Sequence, residues 1–247
     1  MTIAAIVQAR IGSSRLPGKI LMDLAGKPML HHVVDRLSYS KLINKTVIAT
    51  TVLPEDDRTE EYCTANNFNC FRGSSSDVLS RYYEAAVKFG ADIIIRITSD
   101  CPVIDPIIID RMLSSFLDSR KEEPLDYMSN VIERTFPRGL DAEIFTFPAL
   151  EKTNREASED FEREHVTPFI YRHPELFKLR NFSNQPDLSR HRWTVDTEED
   201  LRLIKEIYKE LYRPGKLFVS DDILRLFERR PELFSINQKV RQKSLGE

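Results

Sequence analysis

Residues 3–19 read IAAIVQARIGSSRLPGK. The run Ile3-Ala4-Ala5-Ile6-Val7 is apolar without alternation, the pattern of a strand buried on both faces. It opens into a loop with three cations (Arg10, Arg15, Lys19) and two glycines (Gly12, Gly18), too short to be a helix. The glycines remove side chains where a ligand would approach the backbone. Exposed N–H groups beside fixed cations are what a chain of phosphates requires. In open α/β sheets the ligand sits beyond the carboxyl ends of the strands, and this loop leaves the carboxyl end of the first strand. Arg10, Gly12, Ser13, Ser14, Arg15, Gly18 and Lys19 therefore read as a triphosphate cradle, with arginine forks and a lysine point charge. The competing reading is a solvated loop with incidental charges. The GxxxxGK[ST] spacing of a P-loop is absent.

Outward from this loop, strand-like and helical patterns alternate. Strands are expected at 3–8, 46–51, 69–72 and 92–98. Pro28 sits just inside the start of a helix whose apolar face is Met29, Leu30, Val33, Val34 and Leu37. Pro54 opens a second helix, with Glu55, Asp56 and Asp57 favouring its positive end. Ser76 or Asp77 caps a third that runs to Gly90. Such repetition predicts an α/β fold, a Rossmann-like, mostly parallel sheet with helices on both faces. From about residue 120 the pattern changes. A surface loop at 121–124, strands at 126–130 and 142–147, and a helical stretch at 148–173 broken by Pro168 suggest a small inserted α+β lobe at 120–192 over the mouth of the sheet. After a short strand at 193–195, Thr197 caps an amphipathic helix with Asp200 three residues on. A last helix fits 220–228, and the final ten residues read as a frayed tail.

The chain has 247 residues, with 36 basic against 39 acidic side chains and a net charge of −3. It is expected to form a single domain over 1–247. No basic excess points to nucleic acid, and no apolar run approaches a membrane span. A strand at the very start leaves no room for a signal peptide. Cys63, Cys70 and Cys101 are odd in number and lack metal spacing, which suggests a reducing cytoplasm.

Two further segments carry chemistry. In Thr98-Ser-Asp-Cys-Pro102, Asp100 reads equally as a magnesium ligand and as a turn aspartate before the helix from Asp105. In Trp193-Thr-Val-Asp196-Thr197, Asp196 alone reads first as part of a helix cap. A pair of carboxylates would suit magnesium, which takes one or two of them and keeps several waters. Gln8, Ala9 and Arg72-Gly73-Ser74 are candidates to read a base and ribose, the last three also reading as a tight turn. Asp77 and Arg81 have the spacing of a helical ion pair. Arg96, inside an apolar strand, must be bridged or aimed at a pocket. Arg138, in Phe136-Pro-Arg-Gly-Leu-Asp141, is the best cation for an acidic acceptor. Glu164 and His165 are placed to meet sugar hydroxyls or a partner subunit, and His165 reads equally as a satisfied, half-buried histidine. His31 and His32 face different ways, and Tyr82, Tyr83 and Phe89 read as core.

Taken together, IVQARIGSSRLPGKIL, AGKPMLHHVVDRL, FRGSSSDVLSRYYEAA, RITSDCPVIDP, FPRGLDAEIF, EREHVTPFIY and RWTVDTEEDL span nearly the whole chain. In this order they resemble the cytidylyltransferases that activate sugar acids, the Kdo and acylneuraminate enzymes. The branch most resembled is that of spore coat polysaccharide biosynthesis protein F. The resemblance implies the nucleotide-diphospho-sugar transferase type of fold. It implies CTP and a sugar acid as substrates, Mg2+ as cofactor, and CMP-sugar and pyrophosphate as products for surface polysaccharide synthesis. It places the triphosphate on Arg10, Ser13, Arg15 and Lys19 and the metal on Asp100 and Asp196, and it makes Lys19, Arg10 and Asp100 the catalytic set. A cytoplasmic homodimer, joined through the inserted section, is implied as well. Kdo enzymes carry a Gly-Asp-Glu-Pro type of segment where this chain has Ser99-Asp-Cys-Pro102, so Kdo specificity does not transfer. The rivals are a transferase using another nucleotide or a sugar phosphate, and a non-catalytic nucleotide-binding scaffold of the same fold.

Overall fold

In a computed structural model, residues 1–13 and 15–242 are described, and they build one seven-stranded sheet covered on both faces by helices. The strands are β1 (Ile3–Gln8), β4 (Lys45–Thr51), β5 (Asn69–Gly73), β6 (Ile93–Thr98), β7 (Tyr127–Ser129), β8 (Glu143–Thr146) and β9 (Leu179–Asn181). Their order is β5-β4-β1-β6-β8-β7-β9. Two short strands, β2 (Asp23–Leu24) and β3 (Lys27–Pro28), form a separate hairpin.

The apolar runs explain the central position of β1 and β6. Both bury side chains on both faces, and a strand of that kind must be covered by helices on each side. One core layer joins Ala5, Val7 and Ile95 to α1 (Met29–Leu37), α4 (Pro106–Glu122), α8 (Glu198–Leu211) and α9 (Ser220–Arg229). The other joins Ala4, Ile6 and Ile94 to α3 (Val78–Phe89), α5 (Phe147–Glu156) and α7 (Pro168–Arg172). Two further helices are α2 (Asp57–Ala65), which connects β4 to β5, and α6 (Asp160–His165). β1 pairs in parallel with β4 and β6, so that Gln8 lies opposite both Ala49 and Thr98. β1 and β6 end level and β4 runs two residues further, to Thr51, and the loops leaving them emerge side by side where the connections diverge, the usual place for a ligand in such sheets.

Several expectations are corrected. Pro28 precedes the first helix as its cap residue, held extended by pairing with Asp23. Helix α4 runs through to Glu122, so the loop after it is shorter than the charged stretch suggests. The helical stretch at 148–173 is three helices, α5 to α7, the last opened by Pro168. Residues 120–192 contribute three strands to the main sheet itself, β8 pairing antiparallel with β6. No strand forms at 193–195; a single bridge joins Arg192 to Arg138 instead. Gly139 makes that approach possible: its φ is +101°, and a Cβ there would stand 2.5 Å from the Trp193 carbonyl carbon. Tyr82 is a core residue whose hydroxyl donates to the Ile6 and Ile97 carbonyls, and Tyr83 stacks on Phe147. His31 pairs with the Tyr62 hydroxyl and His32 with the Leu24 carbonyl. Among the described residues, no helix is long and apolar enough to cross a membrane.

Candidate active site

The loop after β1 is folded on itself and pinned from below. The Ile11 carbonyl accepts from the N–H groups of Ser13 (2.7 Å) and Gly18 (3.0 Å). The Ile11 N–H donates to Asp56 Oδ1 at 2.8 Å. Asp56 is fully buried, and its other oxygen accepts from the Thr51 hydroxyl. The N–H groups of Ser13 and Gly18 thus serve the loop, and that of Ala9 serves the sheet through Ala49. Gly18 is required by conformation, since its φ is +70° while the space around a Cβ there is open. Ser14 lies outside the described residues.

Lys19 closes the loop and points beneath it. It is only 8% exposed. Its ammonium donates to Asp100 Oδ2 at 2.9 Å, to Asp196 Oδ1 at 2.9 Å and to the Val195 carbonyl at 2.7 Å. Burial alone would lower the Lys19 pKa; the two carboxylates outweigh it and hold it above its ordinary value. Asp196 also receives Arg15 at 3.0 Å and Arg192 at 2.8 Å. Burial alone would raise its pKa, and Lys19, then Arg15 and Arg192, reverse the sign.

The capping readings of these aspartates do not hold. Asp105 itself caps α4 by accepting from the Ile107 N–H at 2.9 Å. Asp100 accepts from the Thr98 hydroxyl at 2.6 Å and is fixed through its own carbonyl by the Val195 N–H at 2.8 Å. Thr197 and Asp200 form the capping box of α8, which leaves the Asp196 carboxylate to the cations. The sequence reading missed Arg192, which also binds Asp200 at 2.9 and 3.0 Å. Its spacing of four and eight residues before two aspartates was the available signal.

The remaining candidates divide. Arg10 is exposed and faces Glu164 at 3.9 Å, with His165 beside it on α6. His165 is held below its ordinary pKa by burial, with Arg96 and Arg10 adding to that effect and Glu164 opposing it. Arg96 is bridged to Glu143, whose other oxygen accepts from Tyr127 (2.5 Å) and Thr167 (2.6 Å). Arg138 stands apart from this group, on the Asp196 side, close to Arg134, Asp141 and Arg192. Arg72 is committed elsewhere: it binds the Thr51 and Leu53 carbonyls, Glu60 and Asp57. Gly73 lets Arg81 pass, since a Cβ would lie 3.0 Å from Arg81 Cγ. Arg81 donates to the Ser74 carbonyl, and Asp77 caps α3 and pairs with Arg163, so the expected Asp77–Arg81 pair is absent. Gln8 Oε1 is buried with no partner among the described residues. Cys101 is a buried thiol packed behind Asp100.

A mostly parallel sheet, a cationic loop at its carboxyl edge and two carboxylates converging beneath it define a nucleotidyltransferase. The sequence profile of the cytidylyltransferases matches residues 4–227, and the chain belongs to that family. It is 34% identical over 238 residues to spore coat polysaccharide biosynthesis protein SpsF of Bacillus subtilis, covering 93% of this chain and 95% of that one. A solved cytidylyltransferase from Leptospira borgpetersenii superimposes with a TM-score of 0.89 at 36% identity, over 99% of this chain and 100% of that one. A CMP:2-keto-3-deoxy-manno-octonic acid synthetase solved with CTP shares the fold, with a TM-score of 0.66 at 21% identity over 85% of this chain and 100% of that one.

Proposed function

We propose that this enzyme transfers the cytidylyl group of CTP to a hydroxyl of a sugar acid. The hydroxyl oxygen bonds to the α-phosphorus, the bond to the β-phosphate bridging oxygen breaks, pyrophosphate leaves, and the hydroxyl proton passes to solvent. The observation that carries this reading is the meeting of Asp100 and Asp196 on one ammonium beneath the loop. Arg10, Arg15 and Lys19 supply the charge a triphosphate needs, and phosphoryl transfer depends mainly on such positioning and neutralisation. The unpartnered oxygen of Gln8 is an acceptor suited to the amine of cytosine.

The same two carboxylates fit Mg2+. Each has an oxygen 2.9 Å from the Lys19 ammonium, so both can reach one cation, and a metal held by them would share the pair with that ammonium or displace it. Bound there, magnesium would neutralise charge developing on the phosphates. Arg138, Glu164 and His165 are proposed to meet the acceptor: Arg138 its carboxylate, the other two its hydroxyls. The SpsF relative, named for spore coat polysaccharide biosynthesis, supports a role in surface polysaccharide synthesis, and the family resemblance implies a cytoplasmic homodimer.

The test compares CTP, UTP, GTP and ATP by thermal shift with magnesium. A ligand at a hundred times its dissociation constant stabilises by about 2.7 kcal/mol. CTP alone should raise Tm, and sugar acids should then release pyrophosphate. Asp100→Asn should abolish that release while the circular dichroism spectrum is unchanged. A preference for another nucleotide, or turnover by Asp100→Asn, overturns the reading.

A further inference from the structure

Helix α6 ends at His165, and the chain then turns in a way few residues tolerate. Val166 has φ +73° and ψ −52°, and the Thr167 N–H donates to the His165 carbonyl at 2.9 Å. These are the angles and the hydrogen bond of a γ-turn of the rare, strained form. Helices commonly leave through a glycine at positive φ. Here the residue is β-branched and fully buried, and for such a side chain positive φ is an outlier. Thr167 follows at φ −104° and ψ −8°, a helical region that a proline at the next position disfavours. Pro168 also explains why α6 cannot simply continue: inside one helix its ring would meet the Glu164 carbonyl.

Two unfavourable conformations in succession persist only where the surroundings over-determine them. The fastening is Thr167. It is buried, and its hydroxyl donates to Glu143 Oε1 at 2.6 Å. Glu143 is fixed in turn by the sheet. It lies on β8 opposite Arg96 of β6, is paired with that guanidinium, and accepts from the Tyr127 hydroxyl of β7 at 2.5 Å. On the other side, the Thr167 carbonyl accepts from the N–H groups of Ile170 and Tyr171 in α7. Three strands therefore hold one hydroxyl, and that hydroxyl holds the turn. His165 supplies the acceptor carbonyl of the turn, so a loosened turn releases His165 as well. A group carried on rigid strands and locked by a supporting shell is placed more precisely than one on a free loop.

We propose that Thr167 is a positioning residue for the transfer reaction: anchored by Glu143, it locks the strained turn at Val166 and thereby fixes His165 at the end of α6, next to the Glu164 that faces Arg10. The consequence for turnover rests on the reading of His165 as an acceptor contact; the positioning itself does not.

The His165 ring is the reporter. Burial holds its pKa below 6.5, with Arg96 and Arg10 adding to that effect and Glu164 and Glu143 opposing it. A ring released toward solvent should move back up. The chain has five histidines, and their ring C–H resonances are followed through a pH titration, His165 being assigned by its loss in His165→Gln. Thr167→Val keeps the shape and removes the hydroxyl. In it the His165 midpoint should rise by at least about half a pH unit, a threefold change in proton affinity, while the other four stay within about 0.2 unit. Thr167→Ser keeps the hydroxyl and should stay within about 0.2 unit of the parent. Thr167→Ala gives the same reading if the valine variant does not fold. A His165 midpoint unmoved or lowered when the hydroxyl is removed overturns the proposal. So does one moved as far in Thr167→Ser, or an equal movement of all five histidines. Failure of the acceptor reading is distinct: His165→Ala would then leave the acceptor KM unchanged while the shift in Thr167→Val persists.

Discussion

The ammonium of Lys19 stands 2.9 Å from a carboxylate oxygen of Asp196, 177 positions further along the chain, and 2.9 Å from Asp100 as well. One lysine therefore joins the end of the first loop, the end of β6 and the start of α8. Replacing it with an apolar side chain leaves two carboxylates facing each other with less cation between them. Removing one partner of a buried pair costs about 3–5 kcal/mol. Since Arg15 and Arg192 remain on Asp196, Lys19→Met should fall near the lower end, about 3 kcal/mol, in urea unfolding. Millimolar magnesium should recover part of that loss in the variant and stabilise the parent less, because there the ammonium already neutralises part of the pair. Equal magnesium effects on both proteins would show that the carboxylates do not hold the metal.

The same cluster sets a pH dependence with a defined sign. Asp196 is held below its ordinary value of 3.8, so its stabilisation is present above that value and decays as pH falls through the folded pKa. Lys19 is held above 10.5, so its stabilisation is present below that value and decays as pH rises through the folded pKa. The stability gap between the parent and Lys19→Met should be flat from roughly pH 5 to 9 and narrow only in stronger acid or base. A gap that changes near neutrality would assign the linkage to another group.

Arg15 and Arg72 carry the same charge and should behave differently. Arg15 reaches the cluster from the loop, and Arg15→Ala should weaken CTP binding about tenfold, or 1.4 kcal/mol. Arg72 is spent on β4 and α2, and Arg72→Ala should lower Tm while leaving CTP affinity within about twofold. Calorimetric titration of both variants decides the assignment; a large affinity loss in Arg72→Ala would return it to the nucleotide.

His165 is kept below its ordinary value of 6.5 and should be neutral at physiological pH, a hydrogen-bonding group and not a counter-ion. His165→Ala should raise the acceptor KM about tenfold, a loss of about 1.4 kcal/mol, with the CTP-induced thermal shift unchanged. The acceptor KM of the parent should be level above about pH 6.5. A step there would reveal a protonated histidine at work.

Much of this was legible in the residues. Apolar runs without alternation marked β1 and β6, and the cap at Asp77 and the positive-φ Gly90 bounded α3 within a residue. What escaped depended on contacts between distant parts of the chain. Nothing local shows that Asp56 will reach back to the Ile11 N–H, or that Arg72 will turn away toward Glu60. The segment 120–192 read as an inserted lobe, with strands at 126–130 and 142–147, and nothing local shows that they join the main sheet through β6. In the main sheet only β9, three residues long, was not expected. The pair Asp100 and Asp196 was the reverse case: each also read as a turn or cap residue, and the structure gives the caps to Asp105 and to Thr197 with Asp200, while Lys19 joins the two carboxylates.

The Val195 backbone fastens to Asp100 on one side and to Lys19 on the other. During synthesis, the loop and β6 therefore leave the ribosome long before the segment that locks them together. A nascent chain halted short of residue 192 holds its arginines and Asp100 with nothing to set their positions. A product truncated there lacks Asp196 and both contacts of Val195, and it should show no CTP-induced thermal shift.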